Sequence, residues 1–487
     1  MTDASRFPLE TPCRLSRSVL WRLQRRYFEH RGVAAWADGE VPHQVTSSPY
    51  LARAYSRVIA GFLQDWSAAL DRSQPVYVVE LGAGSGRFAF HLRRELDALG
   101  GDQPLCYVMT DVAEANLAAW RAHPQLAAWL GDGRLDIARF DAAHDGAICL
   151  ERSGAVLAPG TVGNPVIVVA NYVFDSLPLD VFSVRDGQLH EWQVRLCSRL
   201  PDSDLDDPDV LGRATLGYEL RPASAAGYYG DAELDAILDE HRAALPETAF
   251  TIPSASLACL GRLAALAGGR MLVLAADKGD ITEDALRGQT GPNITLHGSF
   301  SIAVNFHAIA RFVERRGGHA LLPSAAPRHI AGCGFALGAS PHGHVATSTR
   351  FADELDTVRP DNLVALPVIM EHVAETQPLD AWLAHLAFQA CDPALFVEAL
   401  PHVARLVGAA SAAERASLLD VLRKTWDRYF HIGEPFDLGL ALGRLAAALG
   451  AWPEAIRFFE GSLRWHGRTD ATLAELARCH EELDRLG

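Results

Sequence analysis

Lysine is almost missing from this chain. Lys278 and Lys424 are the only two among 487 residues, so nearly all positive charge is arginine. The formal net charge is −16. That balance excludes nucleic acid as the main partner, because phosphate binding needs a concentrated basic face. Paired cysteines are missing as well. Cys13, Cys106, Cys149, Cys197, Cys259, Cys333, Cys391 and Cys479 are scattered singly, with no C-x-x-C. They read as reduced thiols of a cytoplasmic protein and exclude a disulfide framework. No apolar run has transmembrane length, so no membrane partner is expected. The first residues lack an apolar signal core and carry Asp3 and Glu10, which a mitochondrial presequence avoids. G-x-S-x-G, H-E-x-x-H and Walker sequences are absent. His329, His342 and His344 cluster, but zinc needs further ligands and no pair follows, so they read as loop histidines and no metal is expected.

What remains is a globular chain, 49% hydrophobic and 21% charged, able to bury a sizeable core. Its length suggests two to four domains. Abundant alanine and arginine fit a GC-rich bacterial genome. The most informative stretch is 76–87. A β-branched and aromatic run, Val76 to Val79, ends in Glu80. Gly82, Gly84 and Gly86 follow at alternate positions, and Phe88, Ala89, Phe90, Leu92 and Leu96 begin a helical face. The pattern is strand, tight turn, helix. Glycines permit positive φ and let a ligand approach the backbone. A dinucleotide site wants G-x-G-x-x-G with a pyrophosphate on the helix N-terminus. Here Arg87 stands where the last glycine belongs, and Glu80 would repel a pyrophosphate. A carboxylate there suits a cationic ligand.

The spacing predicts the following organisation. Residues 1–70 form an N-terminal helical segment, with helices over 17–30 and 50–70 joined by the loop 41–49. Residues 71–350 form an α/β domain in which strands and helices alternate from 76 to about 340, so a doubly wound, largely parallel sheet is expected. Its strands are placed at 76–79, 105–109, 135–140, 165–170, 271–275 and 319–322. A hairpin turns at Asp186-Gly187, and an insertion, 196–250, opens on the acidic, solvated segment 201–208. Residues 360–487 are helical only. Measured from Gly443, Leu442, Gly450, Ala455, Ile456, Phe459 and Ser462 fall at tetratricopeptide offsets, and Leu476 and Ala477 follow one period later. This all-α, tetratricopeptide-like tail is the expected route to a protein substrate or partner.

The pattern E-x-G-x-G-x-G resembles motif I of class I S-adenosylmethionine-dependent methyltransferases. The resemblance implies S-adenosyl-L-methionine as cofactor, with Gly82, Gly84 and Gly86 against its methionine part and Glu80 at its amino end. Asp111 ends the second strand, where a carboxylate can accept from both ribose hydroxyls; an N-cap of the helix after it is the other reading. By the same resemblance Asp141 lies near the adenine amino group. Asn171-Tyr172-Val-Phe174-Asp175-Ser-Leu-Pro178 resembles the N-E-x-F-D-A-L-P motif of the MidA-like family, related to the mitochondrial complex I assembly-factor arginine methyltransferase. Thr46 to Pro49, Gly268 to Gly279 and Ile302 to Phe306 resemble further segments of that family, over roughly residues 20–340.

Three positions depart from the family: Tyr172 replaces a Glu, Lys278 a Tyr, and Thr251 an expected Glu. Arginine methylation uses carboxylates to orient and offset the guanidinium, so Asp175 is left to meet a cationic acceptor alone. Asn171 and Asp175 are the expected catalytic residues, Asn171 orienting the acceptor. Asp175 as the N-cap of a short turn is the other reading. The expected function is methyl transfer, with a protein side chain as acceptor. A cofactor-binding scaffold whose chemistry has lapsed is the alternative; Tyr172 and Lys278 favour it, while the intact turn and Asp111 oppose it. A nicotinamide enzyme is disfavoured by Arg87.

Overall fold

The computed structural model describes residues 7–37, 44–201, 204, 205, 207, 209–297 and 299–486. Asp3, residues 41–43 of the first loop and residues 202, 203, 206 and 208 of the acidic segment lie outside them. Contacts divide the chain into two units: Met1–Ala35 with Ala54–Asp361, and Trp36–Arg53 with Asn362–Gly487. Among the described residues no helix is long and apolar enough to cross a membrane.

The first unit is built on a seven-stranded sheet: β1 (Val76–Glu80), β2 (Leu105–Asp111), β3 (Leu135–Arg139), β4 (Val166–Asn171), β5 (Met271–Asp277), β6 (His319–Leu321) and β7 (Ala331–Leu337). The order is β6-β7-β5-β4-β1-β2-β3. Strands β1 to β5 run parallel, and β7 is antiparallel to both β5 and β6. The part β3-β2-β1-β4-β5 follows the dinucleotide-binding order, and inserting β7 before β6 departs from it. Strands β4 and β5 are apolar runs buried almost throughout, because helices cover a parallel sheet on both faces. Val79, Val168 and Val273 from the sheet share a core with Leu257, Leu263, Ile309 and Phe312 of flanking helices. Each such side chain contributes about 1.5–3 kcal/mol by leaving water.

Most expected strands and the helix Arg87–Leu99, stopped by Gly100, appear where the periodicity puts them. Strand β7 does not announce itself. It carries Gly332 and Gly334, and a Cβ on Gly332 would sit 3.0 Å from Pro360 and one on Gly334 3.2 Å from Phe351. Close packing, not flexibility, selects glycine there.

The N-terminal segment needs correction: it is not purely helical. Phe7–Pro8 and Cys13–Arg14 are short strands paired with Gln188–Ser198. They belong to a second, antiparallel sheet of six strands, with Asp180–Arg185, Ala214–Pro222 and Ala249–Ile252. The insertion 196–250 therefore supplies strands that were not expected, while a helix expected over 231–245 forms as Ala232–Ala244. The hairpin at Asp186-Gly187 forms as expected, both residues having positive φ.

Among its described residues the second unit is helical apart from its turns. Its core joins Trp382, Leu386, Phe396, Leu422, Leu442, Phe458 and Phe459. Leu438–Ala448 packs on Trp452–His466, and Asp470–Leu486 follows. A Cβ on Gly439 would meet the backbone of Ser462 and Phe458 at 2.7 and 2.8 Å, and Gly443 lies against the Phe459 ring. Small residues thus sit where the two helices touch. The helix Pro49–Trp66 begins in the second unit and ends in the first.

Candidate functional site

The chain order reverses between β1 and β4, and ligands of open α/β sheets bind at such a switch, outside the carboxyl ends of the strands. Glu80 ends β1, Asp111 ends β2, Asn171 ends β4 and Asp277 ends β5. After Glu80 the backbone turns through Gly82, Gly84 and Gly86, with φ of 57, 52 and 80°. Side chains of other elements hold this turn. The Gly84 N–H donates to Asp111 Oδ2 at 3.1 Å, Trp120 Nε1 donates to the Gly84 carbonyl at 3.0 Å, and Thr110 Oγ1 donates to the Glu80 carbonyl at 2.7 Å. A Cβ on Gly86 would meet Met109 Cε at 3.0 Å and Trp120 at 3.1 Å. The turn is a preorganised cradle, closed beneath and on its β2 side.

Glu80 is buried, and its carboxylate accepts one hydrogen bond, from Tyr107 Oη at 3.0 Å. Among the described residues no cation reaches it. Burial, with the Asp111 charge adding to it, pushes its pKa up to about 8 against the pull of Tyr107. A buried carboxylate in that state fits a cationic group brought by a ligand.

Asp111 is more committed. Its Oδ1 accepts from the Ala113 N–H at 2.9 Å, and its Oδ2 accepts from Gly84 and from Asn116 Nδ2, both at 3.1 Å. Burial raises its pKa while those donors lower it. These donors, with the Val112 N–H beside them, take most of its acceptor positions, leaving room for at most one ribose hydroxyl rather than two. It is not the N-cap of the next helix, whose cap is Ala113. Asp141 is engaged elsewhere: Arg25 Nη1 lies 2.5 Å and His144 Nδ1 3.1 Å from its Oδ2. Burial would raise its pKa, but His144, the Ala143 N–H and Arg25 outweigh that and lower it.

Across the switch, the loop after β4 is drawn onto the glycine turn. A Cβ on Gly82 would stand 3.2 Å from Val173 Cγ2. Asn171 Oδ1 accepts from Tyr55 Oη at 2.9 Å and from the Ala276 N–H at 3.1 Å. That oxygen, expected to orient an acceptor, is already holding two structural partners. Tyr172 has φ of 52°, the left-handed region that a bulky side chain rarely enters. Asp175 is buried inside the turn Phe174–Ser176, whose cap is Val173, so Asp175 does not cap it.

The residue that sequence reading missed is Asp277. It is fully buried, its Oδ2 accepts from the Asp175 N–H at 3.3 Å, and its Oδ1 accepts from the Lys278 N–H at 2.8 Å. Asp175 therefore does not stand alone: a second carboxylate lies beside it. Burial raises the pKa of Asp175 to about 6, opposed by Ser176 and Lys278. Burial and the Asp175 charge raise that of Asp277 well above the carboxylate range. Of these two neighbouring buried acids, Asp277 keeps its proton to higher pH than Asp175. Tyr55 and Tyr107 were missed too, since both lie outside the motifs. Asn305, in the stretch 302–306, is an N-cap: its Oδ1 accepts from the Ala308 N–H at 2.8 Å and its Nδ2 donates to the Thr251 carbonyl at 2.7 Å. Among the described residues no cluster of His, Cys, Asp and Glu has metal-site geometry.

Residues 58–277 match the model of a family described as "Putative S-adenosyl-L-methionine-dependent methyltransferase". Among curated proteins none matches. Two solved structures from Burkholderia thailandensis, members of one superfamily, are similar over part of the chain. One, uncharacterized, is 19% identical with a TM-score of 0.40, covering 64% of this chain and 73% of its own. The other, a "likely methyl transferase" bound to S-adenosyl-homocysteine, is 18% identical with a TM-score of 0.41, covering 64% and 74%.

Proposed function

We propose that this protein is an S-adenosylmethionine-dependent methyltransferase. The observation that carries the reading is the glycine cradle closing on a buried, uncompensated Glu80 at the switch point of the sheet. The family match over 58–277 supports it. Glu80 would hold the ammonium of the methionine part, and Asp111 one ribose hydroxyl. The cofactor, when bound, supplies a methyl group already activated on a sulfonium. The chain then has three tasks: position the acceptor, exclude water and receive a proton. Val173 and the rest of the 171–175 loop cover the cradle. Asp175 and Asp277 form the acidic side of the acceptor pocket, with Asp175 taking the proton that an amine or hydroxyl acceptor releases. The MidA-like reading and a protein side chain as acceptor rest on the Asn171–Pro178 motif. We read the tail as a tetratricopeptide-like helix pair with a following helix, on the strength of the Gly443–Phe459 contact.

Calorimetry on the purified chain should show S-adenosylmethionine or S-adenosylhomocysteine binding at micromolar affinity or better, about 8 kcal/mol. Gly84→Val should abolish it, because a β-branched residue resists positive φ. No binding by the unmutated chain, or normal binding by the variant, would refute the assignment. The occupied Asn171 oxygen favours a second reading, a scaffold that binds cofactor without turnover. Labelled methyl donor incubated with cell lysate separates the two: binding without any labelled product supports the scaffold.

A further inference from the structure

The second unit carries a groove that the methyl-transfer reading does not use. It encloses about 460 Å3 and is walled by the helices Pro360–His372 and Pro393–Leu406. Leu363, Val364, Val368 and Leu395 make its lining mainly apolar. The first of these helices has apolar residues on more than one face. Val368 and Ile369 are 56% and 57% exposed, and Val373 is 38% exposed. A helix apolar all round is normally covered, and contiguous exposed apolar surface marks an interaction site. Pro367 lies within this helix and has no N–H, so the Leu363 carbonyl on the groove wall loses its helical donor.

Charge identifies the occupant. Glu371 and Glu398 border the groove, and among the described residues no lysine or arginine lines it. Among the described residues Glu371 meets only His402, at 4.0 Å, and Glu398 accepts from Gln44 Nε2 at 3.3 Å. Among the described residues neither carboxylate is paired with a lysine or arginine. We propose that this groove binds a basic amphipathic helix of a partner protein, apolar on one face and lined with lysine or arginine. The apolar strip runs past the cavity to Ile369 and Val373, longer than a compact small molecule would need. An anionic lipid surface would be repelled by the two glutamates.

Full-length protein is titrated with a fluorescent leucine–lysine peptide of about five helical turns. The comparisons are the same peptide with glutamate for lysine, and the lysine peptide with its order scrambled. Anisotropy should show micromolar binding of the ordered lysine peptide and at least about tenfold weaker binding of the other two. Val368→Asp, and Glu371→Lys with Glu398→Lys, should each weaken binding about tenfold while circular dichroism stays unchanged. Glu481→Lys with Asp484→Lys, on the last helix, should not. Equal binding of the scrambled peptide, no effect of the groove variants, or no binding at all overturns the proposal. So does sedimentation showing self-association that Val368→Asp abolishes, which would give the face to a second copy.

Discussion

Glu80 carries a measurable consequence of being buried without a cation. Its folded pKa is raised from 4.5 to about 8. Between those values the folded chain holds a proton that the unfolded chain releases, so stability falls as pH rises through that window. Glu80→Gln removes the term. Without cofactor, denaturant unfolding should show the variant more stable than the parent at about pH 8, by a few kcal/mol at most, and equal to it near pH 4. Its cofactor affinity should drop because the ammonium loses its partner. In the parent, affinity should rise with pH up to about 8, by up to tenfold per unit. A pH-independent affinity would remove Glu80 from the cofactor site. Asp277→Asn should slow transfer to an identified acceptor by on the order of 2–4 kcal/mol, as Asp175→Asn should, with cofactor affinity little changed. Turnover unaffected by both changes would make the pair structural. Asn171→Ala should show mainly as lost stability, about 1–3 kcal/mol, since its oxygen serves Tyr55 and Ala276.

The glycine turn was legible in the sequence because its requirement is local: positive φ at alternate positions admits little but glycine. The parallel strands were legible for the same reason, as short apolar runs between breaks. What stayed hidden depends on distant partners. Phe7–Pro8 and Cys13–Arg14 are too short to show a period and are strands only because Gln188–Ser198 pairs with them. Asp277 read as the end of a strand; its closeness to Asp175 is a product of β4 and β5 lying side by side. Two glycines separate local from tertiary demand. Gly86 and Gly100 both have positive φ, but a Cβ at Gly100 meets nothing within 4 Å, whereas one at Gly86 meets Met109 and Trp120. Gly100→Ala should cost about 1 kcal/mol by strain alone. Gly86→Ala should cost more, about 2–3 kcal/mol, and weaken cofactor binding as well. Equal denaturation midpoints for the two would contradict the packing around the turn.

At the scale of the whole molecule, every residue proposed for the cofactor and acceptor lies in the unit Met1–Ala35 with Ala54–Asp361. Removing residues 362–487 should therefore leave cofactor affinity within about threefold, a change under 1 kcal/mol. The same deletion strips Tyr50 of Phe388, whose ring centre is 6.0 Å from its own. Limited proteolysis should then cut near Tyr50, where the intact chain resists; loss of cofactor binding would show that the site needs the second unit. The antiparallel sheet has one more consequence, and it concerns time. Phe7 pairs with Ser198, so it waits for a strand made some 190 residues later. At synthesis rates of about 5–20 residues per second, that interval is roughly 10–40 s. Phe7 and Pro8 are thus made well before the strand that gives them their place, and spend the wait without their sheet.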